Sequence, residues 1–378
     1  MKLQRNGSKA LAIGAMALVG SLSLAACGTD DNSTSNSGSS AAASGAAPAA
    51  QIACGKGGQL LGAGSTAQTN AIDVWKAAFG SACSGSTITY GGGGSGAGVQ
   101  QFNQGKVAFA GSDSALKPAE VDASKQVCTG GQGVNLPMVG GLISIVFNVE
   151  NVDKLVLDGP TIAKIFDSQI AKWNDPAIAA LNPGVALPDA PIQAIHRSDD
   201  SGTTANLTGY LAKASGGAWT YPASKTWAGK GGQSANGSAG VSAQVKQVKN
   251  SISYVELSYA QTNSLKSAAI NTGASKPVDA TAENAATTFS KAKIAGTGSD
   301  LALGLDYATK DEGAYPIVLV TYEIVCDKGN KAESLDTLKS FLTYTISDAG
   351  QQAIGAKGYV PLPKELSAKV QAVIPTLA

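Results

Sequence analysis

Two β-type runs, Val134–Val149 and Tyr315–Cys326, constrain this chain more than any other feature. Each exceeds the usual strand of roughly 5–6 residues. A strand that long can leave one lobe and enter the next. Two such crossings, far apart in sequence, predict two lobes, the first completed by the C-terminus. With 378 residues, 43% of them hydrophobic, the chain has enough apolar material for both. Short strands are expected at Gln59–Ala63, Ser86–Tyr90, Lys106–Ala110, Ile192–His196 and Ile252–Val255. Helical patterns fall at Ala67–Phe79, Gly96–Gln104, Thr161–Phe166, Asp175–Leu181, Thr203–Lys213, Val241–Asn250 and Ala332–Ser347. This alternation predicts α/β lobes with largely parallel sheets. The expected division is 52–144 for the first part of lobe 1, 145–319 for lobe 2 and 320–378 for the rest of lobe 1. Lys213–Gly240 and Ala274–Asn284 are rich in small and polar residues and read as surface loops.

The N-terminus has the form of a secretion signal. Lys2, Arg5 and Lys9 precede an uncharged apolar run, Ala10–Ala26, that ends in Leu24-Ala25-Ala26-Cys27. The run is short for a membrane span, which needs about 20 apolar residues. Its ending resembles a bacterial lipobox, so residues 1–26 are expected to be a signal peptide and Cys27 a lipidated new N-terminus. Residues 27–51 are Ser-, Ala- and Gly-rich, with almost nothing to bury, and read as a flexible tether. Four further cysteines, Cys54, Cys83, Cys128 and Cys326, form an even set suited to an oxidising compartment. Three pairings are open to them. Cys54 and Cys83 each lie just before an early strand, which favours Cys54–Cys83 and leaves Cys128–Cys326.

Three segments share one design: a strand end, a stretch of Gly, Ser and Thr, then a helix start. They are Gly62–Thr66, Gly91–Gly98 and Ser198–Thr204. Glycine lets backbone approach a ligand closely. A helix N-terminus offers free N–H groups and partial positive charge, which suit an anion. Any one such loop could be an ordinary cap or turn; three in one chain point to an anion site. Arg197 stands one residue before the third loop and is the only arginine besides Arg5. Its planar fork can hold two oxygens of a tetrahedral anion, and Asp199 is placed to orient it. Asp113 follows the strand Lys106–Ala110. A carboxylate beside a bound dianion repels it unless the anion brings a proton to share. Monohydrogen phosphate does and sulfate does not, so Asp113 would discriminate by repulsion.

Other functions fit poorly. The formal net charge is +1, and −2 without Lys2, Arg5 and Lys9, so no basic footprint for nucleic acid exists. His196 is the only histidine, and Gly93–Ala97 fails the Gly-x-Ser-x-Gly elbow at its last place. No Walker loop is present. The cysteines lack zinc spacing, and neither a metal nor a cofactor is expected.

The motifs, taken in order, resemble the phosphate-binding proteins of bacterial phosphate ABC importers, the PstS family. The likeness starts near Gln59 and runs through Leu61–Thr66, Gly94–Val99, Gly111–Asp113, Leu157–Thr161, Lys172–Pro176, Ala180–Gly184, His196–Thr204, Tyr254–Glu256 and Tyr315–Ile317. It implies a two-lobed type II periplasmic-binding-protein fold with inorganic phosphate held between the lobes. It further implies a monomeric, non-enzymatic receptor, anchored to the membrane by lipid, that serves a membrane permease. By position the ligands would be Ser65, Thr66, Ser95, Asp113, Arg197, Ser201, Gly202 and Thr203. Ala67 stands where relatives often carry Phe, and Asp200 where many carry Gly.

Overall fold

The computed structural model describes residues 52–378, so the signal peptide, the tether and Cys27 lie outside the described residues. The chain begins with β1 (Gly58–Gly64), α1 (Thr69–Ala82), β2 (Ser86–Gly93), α2 (Ser95–Asn103), β3 (Phe109–Ser112), α3 (Pro118–Ser124) and the long β4 (Gly133–Asn148). The middle comprises β5 (Val156–Asp158), α4 (Gly159–Phe166), α5 (Pro176–Leu181), β6 (Gln193–Arg197), α6 (Gly202–Ala214), β7 (Gln233–Ala235), α7 (Gly237–Gln247), β8 (Ser251–Glu256) and α8 (Leu257–Thr262). Then come β9 (Lys266–Ser267), β10 (Ala269–Asn271), α9 (Ala282–Phe289), β11 (Lys293–Ile294), β12 (Leu303–Gly304), β13 (Val318–Cys326), α10 (Ala332–Ile346), α11 (Asp348–Gly355) and α12 (Lys364–Val373).

β4 joins the two halves of a nine-stranded sheet ordered β2-β1-β3-β13-β4-β8-β6-β7, with β9 also on β4. Gly133–Leu142 pair with β13, and Ile143–Asn148 pair with β8. All but the last residue of β4 are buried. A strand covered on both faces reads as an unbroken apolar run, which is why it was visible in sequence. The second run is shorter than expected. Its strand begins at Val318, while Tyr315–Ile317 form the approach, with Ile317 O accepting from Ile143 N–H at 2.8 Å.

The expectation of largely parallel sheets holds only for the outer strands. β1 is parallel to β2 and β3, and β6 to β7 and β8. β13 and β4 are antiparallel to each other and to their other neighbours. The crossover strands run in opposite directions between the halves, so they cannot join a parallel array.

Each half has its own apolar packing. α1 buries Ala71, Ile72, Trp75 and Phe79, a stripe at helical spacing. Phe79 meets Phe341 of α10 edge-on at 5.5 Å, and Trp75 Nε1–H donates to Gly350 O. In the other half Phe166, Trp219, Trp227 and Tyr254 form an aromatic cluster. Full burial of one such ring stabilises the fold by about 1.5–3 kcal/mol. Both disulfides form as expected: Cys54–Cys83 ties the entry to β1 to the end of α1, and Cys128–Cys326 ties the segment after α3 to the end of β13.

The Lys213–Gly240 segment departs from a plain loop. It contains β7, and Gly237 opens α7. β7 is three residues with no buried side chain, so it lacks the alternation that marks a strand.

Candidate functional site

All three glycine-rich loops lie at the carboxyl ends of strands, where open α/β sheets bind ligands. Gly64 ends β1 with φ +138°, and a Cβ there would collide with the Gly111 carbonyl. This lets Ser65 N–H reach Gly111 O at 2.8 Å. Gly94 opens α2 without a side-chain cap, so Ser95 is the first helical residue and its hydroxyl stays free for other partners. Ser201 caps α6, its Oγ accepting from Thr204 N–H at 3.2 Å.

The loops converge on one buried point. Ser95 Oγ accepts from Asp113 N–H and from Gly202 N–H, each at 3.1 Å, so one hydroxyl joins the β3 side to the β6 side. Gly202 has no space for a side chain, since a Cβ would come within 2.5 Å of Ser95 Oγ. Gly96 N–H donates to Asp200 O at 2.9 Å, and Asn206 Nδ2 donates to Asp113 O at 2.6 Å. Thr66 Oγ1 accepts from Ser238 N–H at 3.0 Å.

Asp113 is 3% exposed. Its Oδ1 accepts from the Ser65 hydroxyl and from Thr321 Oγ1 at 2.8 Å. Among the described residues its Oδ2 accepts only from Thr203 Oγ1, at 3.3 Å, and keeps capacity for another donor. Burial pushes its carboxyl above the ordinary value. The Ser65 and Thr321 hydroxyls, the Arg197 charge and the Thr203 hydroxyl pull it back only in part. A cavity of about 250 Å³ adjoins it, lined in part by Asn206, Lys225 and Tyr307.

Arg197 ends β6, 3% exposed. Asp199 takes one edge of its fork, Nε–H donating to Oδ1 at 2.7 Å and Nη2–H to Oδ2 at 2.5 Å. The pair leaves three of the five guanidinium N–H groups outside it. Burial alone would raise the Asp199 carboxyl. The Arg197 bond and charge, with Gly237 N–H at 3.0 Å, outweigh burial and hold it below the ordinary range. Tyr254 OH supports the strand end from behind, accepting from Arg197 N–H at 3.2 Å and lying 2.7 Å from Thr204 Oγ1.

Every residue expected at the site belongs to this constellation: Ser65, Thr66, Ser95, Asp113, Arg197, Ser201, Gly202 and Thr203. Asp200 is exposed and turns its carboxylate to Thr226 Oγ1, away from the centre. Ala67 is buried, its N–H on Ser65 Oγ and its carbonyl on Tyr359 OH. His196 is half-buried and stacks on Trp227 at 4.9 Å.

Thr321, Ser238 and Asn206 were not anticipated. Thr321 and Tyr322 pair with Val139 and Pro137, leaving Met138 as an extra residue in β4. Proline cannot donate to a ladder and is accommodated at such bulges. A bulge re-aims a neighbouring side chain, here Thr321 toward Asp113. Pro137 inside an apolar run was the available signal. Asn236-Gly237-Ser238 repeats the strand–glycine–helix design a fourth time, masked by the weak β7.

Two lobes on a shared sheet, with loops converging where they meet, define a solute-binding protein of the periplasmic type. The PBP superfamily domain matches residues 35–349. The chain is 44% identical to the phosphate-binding protein PstS 3 of Mycobacterium leprae, across 100% of both chains. It is 41% identical to PstS 2 of Mycobacterium tuberculosis, across 99% of both. It therefore belongs to the PstS family, whose members are receptors and not enzymes. Among solved structures it resembles a high-affinity periplasmic phosphate-binding protein (PfluDING) bound with phosphate. That match has TM-score 0.69 and 23% identity over 83% of this chain and 93% of that one. A phosphate-binding protein from Stenotrophomonas maltophilia matches with TM-score 0.67 and 20% identity over the same shares. At these identities the two structures speak to the fold.

Proposed function

We propose that this chain is an extracytoplasmic receptor that closes on monohydrogen phosphate and delivers it to the membrane permease of an ABC importer. The observation that carries the choice of ligand is Asp113. It is a buried carboxylate with one oxygen saturated by hydroxyls and the other open to a donor. A proton on the anion fills that vacancy; an unprotonated anion meets a bare negative charge. The raised basicity of Asp113 strengthens the bond to such a proton. Ser65, Thr66, Ser95, Ser201, Gly202 and Thr203 supply neutral donors, and Arg197 the positive charge. The names of the curated relatives support phosphate as the cargo. The receptor acts as a monomer, with no cofactor and no metal.

Cys27, at the end of Leu24-Ala25-Ala26-Cys27, is proposed to carry the lipid that holds the receptor on the outer face of the cell membrane. Mass spectrometry of the mature N-terminus tests this, with Cys27→Ala expected to release the protein.

Calorimetric titration tests the ligand. Phosphate should bind, and sulfate should bind more weakly by about 1–3 kcal/mol or more, the cost of an unsatisfied buried group. Asp113→Asn should narrow that gap. Equal affinity for both anions in the unaltered protein rejects the role given to Asp113.

A further inference from the structure

Asn206, on α6, joins the two sides of the cleft through its amide. Its Nδ2 donates to Asp113 O at 2.6 Å and to Gly202 O at 2.8 Å. Asp113 follows β3, and Gly202 opens α6 after β6. A backbone carbonyl can only accept, so the orientation of the amide is determined: the NH2 group faces both carbonyls, and Oδ1 is left as an acceptor. Asn206 is 4% exposed, and a buried acceptor needs a donor of its own. Tyr307, 101 residues further along the chain, supplies it, with its hydroxyl donating to Oδ1 at 2.5 Å. Among the described residues it is the one donor to that oxygen.

The place of Tyr307 is built from both sides. It lies on the segment between β12 and β13. The start of that segment is fixed to the β4–β13 side: Leu301 N–H donates to Asn135 O, and Leu303 N–H to Tyr322 OH, each at 2.9 Å. Asn135 also holds the end of the loop that carries Asp113, since its Oδ1 accepts from Leu116 N–H at 2.9 Å. On the other side the Tyr307 ring lies on α6 at Gly209, where a Cβ would stand 3.2 Å from the ring. A glycine inside a helix is unfavourable; here it admits the ring. Asn206 and Gly209 are three residues apart and so share one face of α6.

We propose that Tyr307 is a positioning residue for anion binding: through Asn206 it holds the backbone of Asp113 and of Gly202 in register across the cleft. The link runs from Tyr307 OH to Asn206 Oδ1, and from Asn206 Nδ2 to Asp113 O and Gly202 O. The Asp113 backbone sets where its carboxylate points, and the Gly202 backbone sets the start of the third anion loop. Without the Tyr307 hydroxyl, nothing holds Oδ1. An amide that turned over would set Oδ1 against two carbonyls, acceptor to acceptor. Tyr307 therefore keeps the bridging amide ready, and fewer groups remain to be ordered when the anion binds. The effect on affinity rests on the phosphate reading; the hold of Tyr307 on the two loops does not.

Tyr307→Phe keeps the ring over Gly209 and removes only the hydroxyl. By calorimetry it should bind phosphate at least about threefold more weakly, the cost of an unmade buried bond softened by water from the adjoining cavity of about 250 Å³. The melting temperature of the ligand-free protein should fall by no more than about 2 °C. A smaller loss of affinity overturns the proposal, and so does a larger fall in melting temperature, which marks a general structural defect. Added to Asn206→Ala, Tyr307→Phe should weaken binding no further; a second full loss there overturns the route through Asn206. Amide hydrogen exchange of the ligand-free proteins follows the same link without phosphate. In Tyr307→Phe, residues 113–116 and 202–206 should exchange at least about threefold faster, with β4 unchanged, as local loosening requires. Unchanged exchange at those two segments overturns the proposal, whether or not Asn206→Ala folds. If the unaltered protein binds no phosphate, the ligand reading fails while the exchange result still decides the role of Tyr307.

Discussion

The two sides of the cleft treat charge in opposite ways. On the β6 side Arg197 and Asp199 form a buried ion pair, and the carboxylate is held below its ordinary range. On the β3–β13 side Asp113 and Glu323 are buried carboxyls without a basic partner of their own among the described residues, and both are pushed upward by burial, as is Glu256 at the end of β8. One side presents a pre-oriented cation; the other presents proton acceptors and neutral hydroxyls. A neutral or cationic ligand would leave Arg197 without a use, and a fully deprotonated anion would face Asp113 unshielded. On the function proposed above, the difference favours an anion that is negative toward one wall and protonated toward the other.

The contrast can be broken most severely at its cation. Arg197→Ala should weaken phosphate binding by about 2–5 kcal/mol, because it removes the positive wall and leaves Asp199 buried and unpaired. Calorimetry reads this directly, and unchanged affinity would take Arg197 out of the site. A smaller effect is expected at Glu256, whose Oε2 accepts from Ser258 N–H at 2.8 Å and from the Ser258 hydroxyl, while Oε1 has no partner among the described residues. Burial raises this carboxyl from 4.5 to about 8. A folded-state value above the unfolded one stabilises the protein at low pH, and that contribution is lost as pH rises from about 4.5 through about 8. In Glu256→Gln the melting temperature should vary less across that window, by about 2 °C or more; parallel melting curves would show that Glu256 titrates normally. The smallest expected effect lies at the rim. Lys225 Nζ reaches Glu120 at 2.7 Å, joining the segment before β7 to α3, while Lys225 O accepts from Ser201 N–H. Glu120→Gln should speed phosphate release by a factor corresponding to roughly 1 kcal/mol or less, since the pair is only partly shielded from water. Stopped-flow release measurements check it, and an unchanged rate would mean that the bridge does not help hold the sides together.

Much of this site was legible because its parts are local. A strand end, a glycine and a helix start occupy a handful of consecutive residues, so Gly62–Thr66, Gly91–Gly98 and Ser198–Thr204 announce themselves. Arg197 stood out because the chain otherwise uses lysine beyond the leader. Thr321 was invisible because its role comes from a bulge formed against a strand nearly two hundred residues away. Ser238 was hidden behind a strand too short and polar to show alternation.

The amino-acid sequence by itself determined the α/β alternation, the two long runs, the three anion-ready loops and the single placed arginine, since each depends on neighbouring residues or on composition. Only the tertiary structure decided strand direction, the disulfide partners and the electrostatic character of each carboxyl. Nothing local distinguishes Asp113, Asp199 and Glu323 as acids. Their difference arises from what burial brings beside each one: the Ser65, Thr203 and Thr321 hydroxyls for Asp113, the Arg197 fork for Asp199, and no hydrogen-bond partner among the described residues for Glu323. The free energy of a buried charge depends on those neighbours and on the water removed, and both exist only once the chain has folded.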